Sequence, residues 1–551
     1  MQHFHILTRR SFLDRSFKIG LGVALSTLVD IPLVIKRALA EGSIGLNGKK
    51  LLFIFLRGAN DAINSVIPIQ DSAYNTDLLP SGLVIRPNIA IPKDAATDYS
   101  VSGPCDFPQS SSVSTDPNYA TFSYAKAIRL GNSFAALHPS HKFLAPVYNA
   151  GDLALIHRVA YPKQSRSHFD SQNYWENGSP NNNLRKDGIF YRTMVESGLA
   201  STNSLTGVSV GSALPLSLRG SAAAMTNISD PTRYNLLGIP NTTAGNSKYD
   251  KALGTADQYP FADKKNRELL SLQYKNMTDT LSIFASIDFS ETGNIFVDDS
   301  NTDGDTGKYY LFPTQNSKNG GYALHANDAS KYVVDTGAYS FFTNLKAAAL
   351  VLNKTDAIVA GTETTGFDTH NTQGGVIAGG VANGNGTHAR LQSRIAWAMY
   401  ALQKYFLTYH DKCTWNNLVV ITLSEFGRTS KQNTSVGTDH AEAGAMFLAG
   451  GAVKGYNKGN PHSGVFNCGP SDPIPWVTGL SGSMFALNNN YLKRATDYRS
   501  VLGKLIRDHL GATQNQLNRI IPGYAVPGER LQSGGTSSID GTPITGELGI
   551  V

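Results

Sequence analysis

Acidic and histidine side chains follow three apolar runs of this chain (50–56, 356–361 and 418–423), at the point where each run ends. A further pair lies in the loop that precedes the apolar run 445–449. In chain order the side chains are Asp61, Asp368, His370, Glu425, Asp439 and His440. Carboxylates and imidazoles are the ligand types that proteins offer to zinc, manganese or iron. Their spacing suggests one shared site, with a solvated polar loop as the alternative for the residues around 425–440.

The apolar runs themselves predict the elements that would position this site. Each run is short, rich in β-branched or aromatic residues and bounded by Gly or polar residues, which is typical of a buried strand. Open α/β sheets place ligand chemistry at the carboxyl ends of such strands. Amphipathic stretches at 337–352, 388–410 and 498–510 predict the helices that cover the sheet.

Ser167 admits two interpretations. Its spacing to Asp170 and to Gly178 predicts a helix that begins after an N-cap serine and ends at a glycine. The alternative is a hydroxyl nucleophile at a helix N-terminus, where free N–H groups would also hold an anion. His168, beside it, could donate a proton to a leaving group or pack against the helix start.

The segment Gly207–Gly211 spells a G-x-S-x-G motif around Ser209. A nucleophile elbow requires a helix directly after the serine. Pro215 argues against that helix, so we predict an alternating strand at 208–210 and keep a serine esterase as an alternative.

A second metal-binding pattern lies in a polar insertion. Its oxygen-bearing residues are Asp299, Asn301, Asp303 and Asp305. They match the first half of an EF-hand calcium loop, but Tyr310 replaces the glutamate that would complete it. The pattern allows an extra calcium ion or a solvated turn.

The first 40 residues predict an export signal rather than part of the fold. Thr8–Leu13 reads as a twin-arginine motif, an apolar stretch follows at 19–35, and Ala38–Ala40 fits a cleavage site. The stretch is too interrupted for stable membrane insertion. We therefore expect a periplasmic or secreted protein that uses the twin-arginine export machinery.

Composition narrows the possible partners of the remaining chain. The 551 residues are 41% hydrophobic and 16% charged, which is typical of a globular protein. The leader holds six Lys and Arg and two Asp and Glu, so removing it lowers the formal net charge from +6 to +2. No basic stripe indicates nucleic acid. Cys105, Cys413 and Cys468 form no metal-binding cluster, and their spacing does not decide whether two of them pair.

The chain divides into five predicted segments. They are a leader at 1–40, the first part of an α/β domain at 41–226, a polar insertion at 227–328, the second part of the domain at 329–522, and a flexible tail at 523–551.

With these motifs in hand, the chain resembles a bacterial domain-of-unknown-function family of twin-arginine-exported proteins grouped with the alkaline phosphatase and sulfatase superfamily. The motifs that carry the resemblance are Leu56–Asp61, Leu137–Pro139, Arg166–Phe169, Gly366–His370 with Gln373, Ser424–Thr429, Gly437–His440 and Gly450–Gly455. They span most of the chain after the leader, without the insertion.

The resemblance implies a three-layer α/β/α sandwich with a mostly parallel, alkaline-phosphatase-like sheet. It also implies one or two divalent metals (zinc, manganese or calcium) and a Ser167 nucleophile. Asp368, His370 and His440 would hold one metal, and Glu425 and Asp61 the other. Asp439 would be a ligand or would orient a histidine, and Arg428 or Arg57 would steady the anion.

These expectations combine into an exported metal-dependent hydrolase of a small phosphate or sulfate ester. Two alternatives remain open at this point. One is a catalytically degenerate envelope protein with a structural or binding role, and the other is the serine esterase that uses Ser209.

Overall fold

Within the part of the chain that the structure describes, the apolar runs pair into one central sheet of nine strands. The ends of these strands determine where the candidate residues lie. The strands are β1 (Lys50–Arg57), β2 (Leu153–Ala160), β3 (Gly207–Val210), β4 (Thr226–Ile228), β5 (Val359–Thr365), β6 (Leu418–Leu423), β7 (Gly444–Ala449), β8 (Val465–Phe466) and β9 (Thr496–Asp497). Most of these residues are buried, as near-continuous apolar runs predict for strands covered on both faces.

The sheet order is β8–β2–β7–β6–β1–β5–β3–β4, and β9 also pairs with β2. Strand β1 runs parallel to both of its neighbours, β5 and β6. Strand β7 is antiparallel to β6 and to β2, and it is the one reversed strand of this sheet. The carboxyl ends of β1, β5 and β6 therefore meet at one edge, together with the amino end of β7.

Helices cover both faces of the sheet. They are α1 (Leu144–Asn149), α2 (His168–Asn177), α3 (Ile189–Glu196), α4 (Tyr339–Lys354), α5 (Thr387–Thr408), α6 (Tyr498–Lys504) and α7 (Gln514–Ile520). Shorter one-turn helices lie at Ala62–Ser65, Ser72–Asn75, Pro139–His141, Leu216–Leu218, Thr336–Ala338, Trp415–Asn417 and Ser483–Phe485, and a π-helical turn spans Leu505–His509.

The side chains of β1 point alternately to the two faces of the sheet and so show which helices cover each face. Leu52, Ile54 and Leu56 join the core formed with α1, α4 and α5. Leu51, Phe53 and Phe55 join a second core with α2, α3, α6 and α7. Because successive strand residues point to opposite faces, the two cores lie on opposite sides of the sheet. The predicted three-layer α/β architecture is confirmed.

The structure is a computed structural model. It describes residues 41, 44–105, 126–201, 203, 205–223, 225–231, 279–289, 291, 297–298, 309–313, 334–373 and 386–551. The predicted leader and the calcium loop at Asp299, Asn301, Asp303 and Asp305 lie outside these residues, as does most of the insertion. No helix in the described ranges combines the length and the apolar character needed to cross a membrane.

The end of the chain corrects one expectation. Residues 523–551 were predicted to form a flexible tail because they are rich in Gly, Ser and Pro. In the structure Leu531, Ile544 and Ile550 are buried, and Thr545 N–H donates to the Ala495 carbonyl. A few well-spaced apolar residues hold the segment against the domain, which composition alone does not reveal.

Three histidines are buried together between α5 and the Pro139–His141 turn. The rings of His138 and His388 lie 5.4 Å apart, and those of His138 and His141 lie 6.2 Å apart. Burial disfavours the charged imidazolium, and it lowers the pKa of His141 to about 3 and that of His388 to about 4. The cluster is therefore neutral in the folded protein at ordinary pH.

These depressed pKa values predict acid sensitivity of the fold. Below about pH 6.5 these histidines become protonated in the unfolded chain but stay neutral in the folded chain. The free energy of unfolding therefore falls as pH drops towards 4. His141→Phe should make this slope shallower by about 1 kcal/mol per pH unit between pH 5 and 6. Urea unfolding at several pH values measures it, with the exposed His410→Phe as the matched control. Equal slopes for His141→Phe and wild type would contradict the prediction.

Candidate functional site

The strand ends deliver a cluster of histidines and carboxylates to one edge of the sheet. Asp368 and His370 follow β5, Glu425 follows β6, and His440 precedes the reversed strand β7. His168 is the first residue of α2, which follows β2. The order of strands in space, rather than along the chain, is what brings these five residues together.

The His168 ring is oriented by Glu425. Its Nδ1 lies 2.8 Å from Glu425 Oε1, which also accepts from Gly58 N–H at 2.8 Å and from Gln172 Nε2 at 2.9 Å. Burial opposes ionisation of Glu425, but these hydrogen bonds hold its pKa below the ordinary value. Because an ionised carboxylate can only accept, Nδ1 carries a proton, and in the neutral imidazole Nε2 then presents a lone pair.

The other two histidines are oriented in the same way. His370 Nδ1 lies 3.0 Å from Asp439 Oδ1, and the pKa of Asp439 is lowered: burial opposes this, and hydrogen bonds from Asn433 and His370 outweigh it. His440 Nδ1 lies 2.9 Å from the carbonyl oxygen of Arg166, which accepts only. Each Nδ1 therefore donates, and each Nε2 is left with a lone pair.

The three Nε2 atoms converge with one carboxylate oxygen. His440 Nε2 lies 3.0 Å from His168 Nε2, 2.9 Å from His370 Nε2 and 3.3 Å from Asp368 Oδ1. Asp368 Oδ1 lies 3.1 Å from His370 Nε2 and 3.5 Å from His168 Nε2. His440 Nε2 has three such neighbours but can form a normal hydrogen bond with only one of them. The remaining atoms are therefore acceptors that lie close together around one point.

The carboxylate of Asp368 and the guanidinium of Arg428 are the main charged groups around the centre. Burial opposes ionisation of the carboxylate, but hydrogen bonding and attraction from Arg428 lower the pKa of Asp368 to about 2. The hydrogen bond to Glu425 raises the pKa of His168. Burial and the nearby Arg428 guanidinium lower the pKa of His440. Asp368 is therefore ionised and faces three imidazoles.

Arg428 lies beneath the cluster rather than at its open side. Its side chain is fully buried and donates to Asp368 Oδ1 and to the carbonyls of Gly58, Ala59, Phe367 and Thr438. Those acceptors belong to the loops after β1, after β5 and before β7. The guanidinium fixes these loops relative to one another and holds Asp368, so it is placed to position the site rather than to meet a ligand from solvent.

Asp61 is not brought to the cluster. It is fully buried, and its two oxygens accept from Arg86 at 2.6 and 3.1 Å and from Gln373 Nε2 at 2.6 Å. The predicted pairing of Asp61 with Glu425 around a second metal is therefore not seen. Glu425 faces His168 through Oε1, and its Oε2 has no hydrogen-bond partner among the described residues.

Gln373 connects the buried Asp61–Arg86 ion pair to two loops, the one that carries Asp368 and His370 and the one that carries His440. Its Oε1 accepts from Thr369 at 3.0 Å and from Thr438 at 2.6 Å. Thr369 lies between Asp368 and His370, and Thr438 lies two residues before His440. One amide thereby fixes the separation of the two loops from which three of the converging side chains project.

Two glycines permit the close approach of the loops. Gly58 has φ +112°, and a Cβ there would overlap the backbone nitrogen of Asp368. A Cβ at Gly437 would overlap the carbonyl group of His370. Any larger residue at either position would push the neighbouring loop away from the cluster.

Ser167 caps α2, as its spacing predicts. Its hydroxyl accepts from Asp170 N–H at 3.4 Å, and Gly178 ends the helix with φ +65°. Ser167 is exposed and directly precedes His168. The geometry therefore confirms the cap.

The other predicted hydroxyl and cation lie elsewhere. Ser209 is buried inside β3, and the first helical turn after it in the described chain is Leu216–Leu218, so the elbow geometry is missing. Arg57 pairs with Glu176 at 2.7 Å and Glu363 at 2.9 Å. Its charge is therefore already compensated.

Sequence reasoning assigned His168 a proton-transfer role and missed its place among the converging nitrogens. The signal available was its position at the start of a helix that follows a buried strand. The contribution of Gln172 could be inferred only from its spacing, four residues after His168 on the same helix face. Arg86 left no recognisable signal, because it lies in an irregular segment.

Chemically, the cluster could hold a divalent cation through His168, Asp368, His370 and His440. Ligand atoms of His168, Asp368 and His440 all lie within 4.8 Å of one another. Glu425, Asp439 and the Arg166 carbonyl would then be the outer partners that fix each imidazole.

Part of the chain matches a protein family. The family described as "Protein of unknown function (DUF1501)" matches residues 322–458, so over this segment the chain is similar to that family. The matched segment contains Asp368, His370, Glu425, Asp439 and His440. Comparisons with curated proteins and with solved structures gave no match.

The Asp61–Arg86 ion pair predicts a large stability effect. Arg86→Met should lower the free energy of unfolding by about 3–5 kcal/mol, because it leaves the buried Asp61 carboxylate unpaired. The double variant Arg86→Met, Asp61→Leu should recover part of that loss. Lys412→Met removes an exposed ion pair with Asp356 and should cost at most about 1 kcal/mol. Denaturant unfolding measures all three, and a cost for Arg86→Met as small as that of the control would refute the prediction.

Proposed function

We propose that this protein is an exported metal-dependent hydrolase of phosphate or sulfate esters, with one divalent cation held by His168, Asp368, His370 and His440. The observation that carries the proposal is the orientation of three imidazoles. Each has an acceptor on Nδ1, and each Nε2 lone pair faces the same ionised carboxylate.

A shared cation explains an otherwise unfavourable arrangement. Lone pairs and a carboxylate oxygen about 3 Å apart repel unless a proton or a metal lies between them. Ligand atoms at 2.0–2.1 Å from a tetrahedral zinc would be roughly 3.3 Å apart. The separations around His440 Nε2 range from 2.9 to 3.3 Å. These separations support a shared ion near His440, and the ligand atoms of His168, Asp368 and His440 all lie within 4.8 Å of one another.

The donor set also favours some metals over others. Three imidazole nitrogens and one carboxylate oxygen suit zinc, and manganese remains compatible. Calcium prefers six to eight oxygen ligands and does not fit this centre. We therefore place zinc first among the expected ions.

The surroundings of the centre support hydrolysis of an anionic ester. When bound, a divalent cation would supply a Lewis acid, and it would lower the pKa of a hydroxyl that joins the protein ligands as a further ligand. Ser167 lies at the N-terminus of α2, whose free N–H groups and dipole favour an anion. Arg166, one residue earlier, is exposed and donates to the neutral Tyr491 hydroxyl at 2.7 Å. These groups are placed to hold the anionic part of an ester next to the serine.

In the proposed reaction the Ser167 oxygen attacks phosphorus or sulfur. A bond from Ser167 Oγ to that atom forms, the bond to the ester oxygen breaks, and the alcohol leaves with a proton. Water then cleaves the serine ester and restores the hydroxyl. Arg428 and Gln373 take no part in bond making, and they keep the ligand loops in register.

One observation favours a second candidate, a metal-binding protein without turnover. Asp61 is committed to Arg86 and Gln373, so a second metal lacks the carboxylate that the expected two-metal site would use. Assays on a panel of phosphate and sulfate esters, with and without chelator, distinguish the candidates. Chelator-sensitive turnover supports the hydrolase, and bound metal without turnover supports the binding role.

The metal proposal predicts the composition of the purified protein. His168→Ala, His370→Ala and His440→Ala should each lower the metal content strongly, because each removes one of four ligands. His410→Ala changes an exposed histidine outside the cluster and should keep the wild-type content. Elemental analysis of folded samples measures the effect. Wild-type metal content in all three variants would remove the centre from the proposal.

Ser167 gives opposite forecasts for a cap and for a nucleophile. Ser167→Ala should lower stability by about 0.5–2 kcal/mol, and Ser167→Asn should restore it because asparagine caps equally well. We expect both variants to lose turnover while they keep the metal. Thermal melting, metal content and turnover are measured together. If the asparagine variant melts like wild type and still turns over substrate, Ser167 is only a cap.

A further inference from the structure

A cleft with several charged side chains lies away from the candidate centre. Its walls come from α3 and the two residues before Gly188, from the segment 219–222 and from α7, and its volume is about 590 Å³. Sites for small organic molecules commonly have volumes of about 300–1,000 Å³. The charged residues that line the cleft are Lys186, Asp187, Arg192, Glu196, Arg219 and Arg519. The cleft is therefore large enough for an organic molecule rather than a single ion.

The cleft and the candidate centre lie at opposite ends of α2. Arg192 lines the cleft, and its Nη2 donates to the carbonyl oxygen of Asn177 at 2.7 Å. Asn177 is the last residue of α2, whereas His168, in the centre, is the first of its ten residues. A helix of that length spans about 15 Å. A ligand in the cleft would therefore occupy a second site.

The walls of the cleft are joined by hydrogen bonds. Gly188 N–H donates to the Arg219 carbonyl at 2.9 Å, which holds the segment after the Leu216–Leu218 turn against the start of α3. The Tyr191 hydroxyl accepts from the N–H groups of Ala222 and Ala223. Arg192 Nε, from α3, donates to the last carbonyl of α7 at 2.7 Å. The cleft is thus formed before any ligand arrives, which lowers the entropic cost of binding.

Both carboxylates that line the cleft are already paired. Asp187 Oδ1 lies 3.2 Å from Arg192 Nη1. Glu196 Oε2 lies 2.7 Å from Arg519 Nη2. Each acidic charge in the lining therefore has a cationic partner within the same cleft, and neither compensates a further cation.

Two cations in the lining have no such partner. Lys186 Nζ donates to the Asn183 carbonyl at 2.8 Å, and Arg219 Nη2 donates to the Leu214 carbonyl at 3.0 Å. Both side chains are exposed, and neither lies in an ion pair with a carboxylate among the described residues. The Gly188–Arg219 hydrogen bond holds the two segments that carry them side by side. The cleft therefore presents two uncompensated positive charges on neighbouring segments of its wall.

Apolar side chains line the rest of the cleft. Tyr191, Val195 and Ala222 belong to its lining. Tyr191 and Val195 are buried in a small apolar cluster of their own, with Ala222 packed against it. A surface of this kind favours a ligand with an apolar body, because contact with it removes apolar area from water.

We propose that this cleft is a second binding site, which takes a small organic dicarboxylate. One carboxylate meets Lys186 and the other meets Arg219, and the carbon body lies against Tyr191 and Val195. Two separate carboxylates suit this site because the two cations project from different segments. A guanidinium can also hold a carboxylate through two parallel hydrogen bonds. The inference concerns binding alone, and it does not depend on the proposed hydrolase.

The test uses the full-length protein and two probes, isophthalate with two carboxylates and benzoate with one. We expect wild type to bind isophthalate roughly fivefold more tightly by calorimetry, because the second carboxylate adds one exposed ion pair. Lys186→Gln and Arg219→Gln should each remove this preference while their thermal melting stays that of wild type. Lys93→Gln changes an exposed lysine outside the cleft and should keep the preference.

Three results would overturn the dicarboxylate site. They are equal affinity for the two probes in wild type, absence of binding for both, and an unchanged preference in both Lys186→Gln and Arg219→Gln.

A variant of the candidate centre separates the two sites. His168→Ala should bind isophthalate like wild type, since the cleft lies at the other end of α2. Loss of isophthalate binding in His168→Ala, with wild-type binding in Arg219→Gln, would assign the dianion to the centre and reject the cleft. In the His168→Ala background, tighter binding of phenylphosphonate than of isophthalate would overturn the choice of a dicarboxylate. Absence of ester hydrolysis would reject the proposed function and leave the cleft untouched.

Discussion

One buried guanidinium controls the geometry of the candidate centre. Arg428 donates to carbonyls on three loops and to the carboxylate of Asp368. Charged hydrogen bonds in a buried setting are strong, and leaving any of these acceptors unpaired would be costly. The loops after β1 and β5 and the loop before β7 are therefore held as one unit. Without this arginine, the loop that carries Asp368 and His370 and the loop that carries His440 would lose the group that joins them to each other and to the loop after β1.

The orientation of the three imidazoles depends on a second set of contacts. An imidazole can present either nitrogen, and the acceptor on its far side decides which one. Glu425 orients His168, Asp439 orients His370, and the Arg166 carbonyl orients His440. Burying Glu425 carries a desolvation cost, and three hydrogen bonds to its Oε1 offset it. A buried carboxylate, an exposed carboxylate and a backbone carbonyl thus direct the three lone pairs.

The sequence predicts the edge of the sheet well, because that prediction depends on local patterns. The runs that form β1, β5 and β6 are apolar and β-branched, and parallel neighbours must deliver their carboxyl-end residues to the same edge. Asp368, His370 and His440 were therefore placed together, and the cap at Ser167 followed from its spacing to Gly178. These inferences need only strand direction and helix boundaries.

What the sequence could not predict depends on contacts between distant residues. The role of His168 is set by Glu425, which is 257 positions away. Asp61 has the position of a ligand after the first strand, yet Arg86 reaches it from an irregular segment that no periodicity describes. The end of the chain was misjudged for the same reason, because Leu531 and Ile550 are buried against elements far away in sequence. Local patterns fix which side chains reach the edge, and long-range pairing fixes which atoms face the centre.

The commitment of Asp61 to Arg86 has a consequence for the proposed chemistry. A two-metal centre divides the charge of an anionic transition state between two cations. If the proposed centre holds one cation, this chain would have to supply the remaining positive potential from its own groups. The exposed Arg166 and the N-terminus of α2 are the groups placed to do so, and both adjoin Ser167. Because neither carries a full second metal charge, the proposed reaction would depend more on how the ester is oriented. Binding energy from a non-reacting part of the ester can orient the reacting group, and so compensate for a weaker electrostatic contribution.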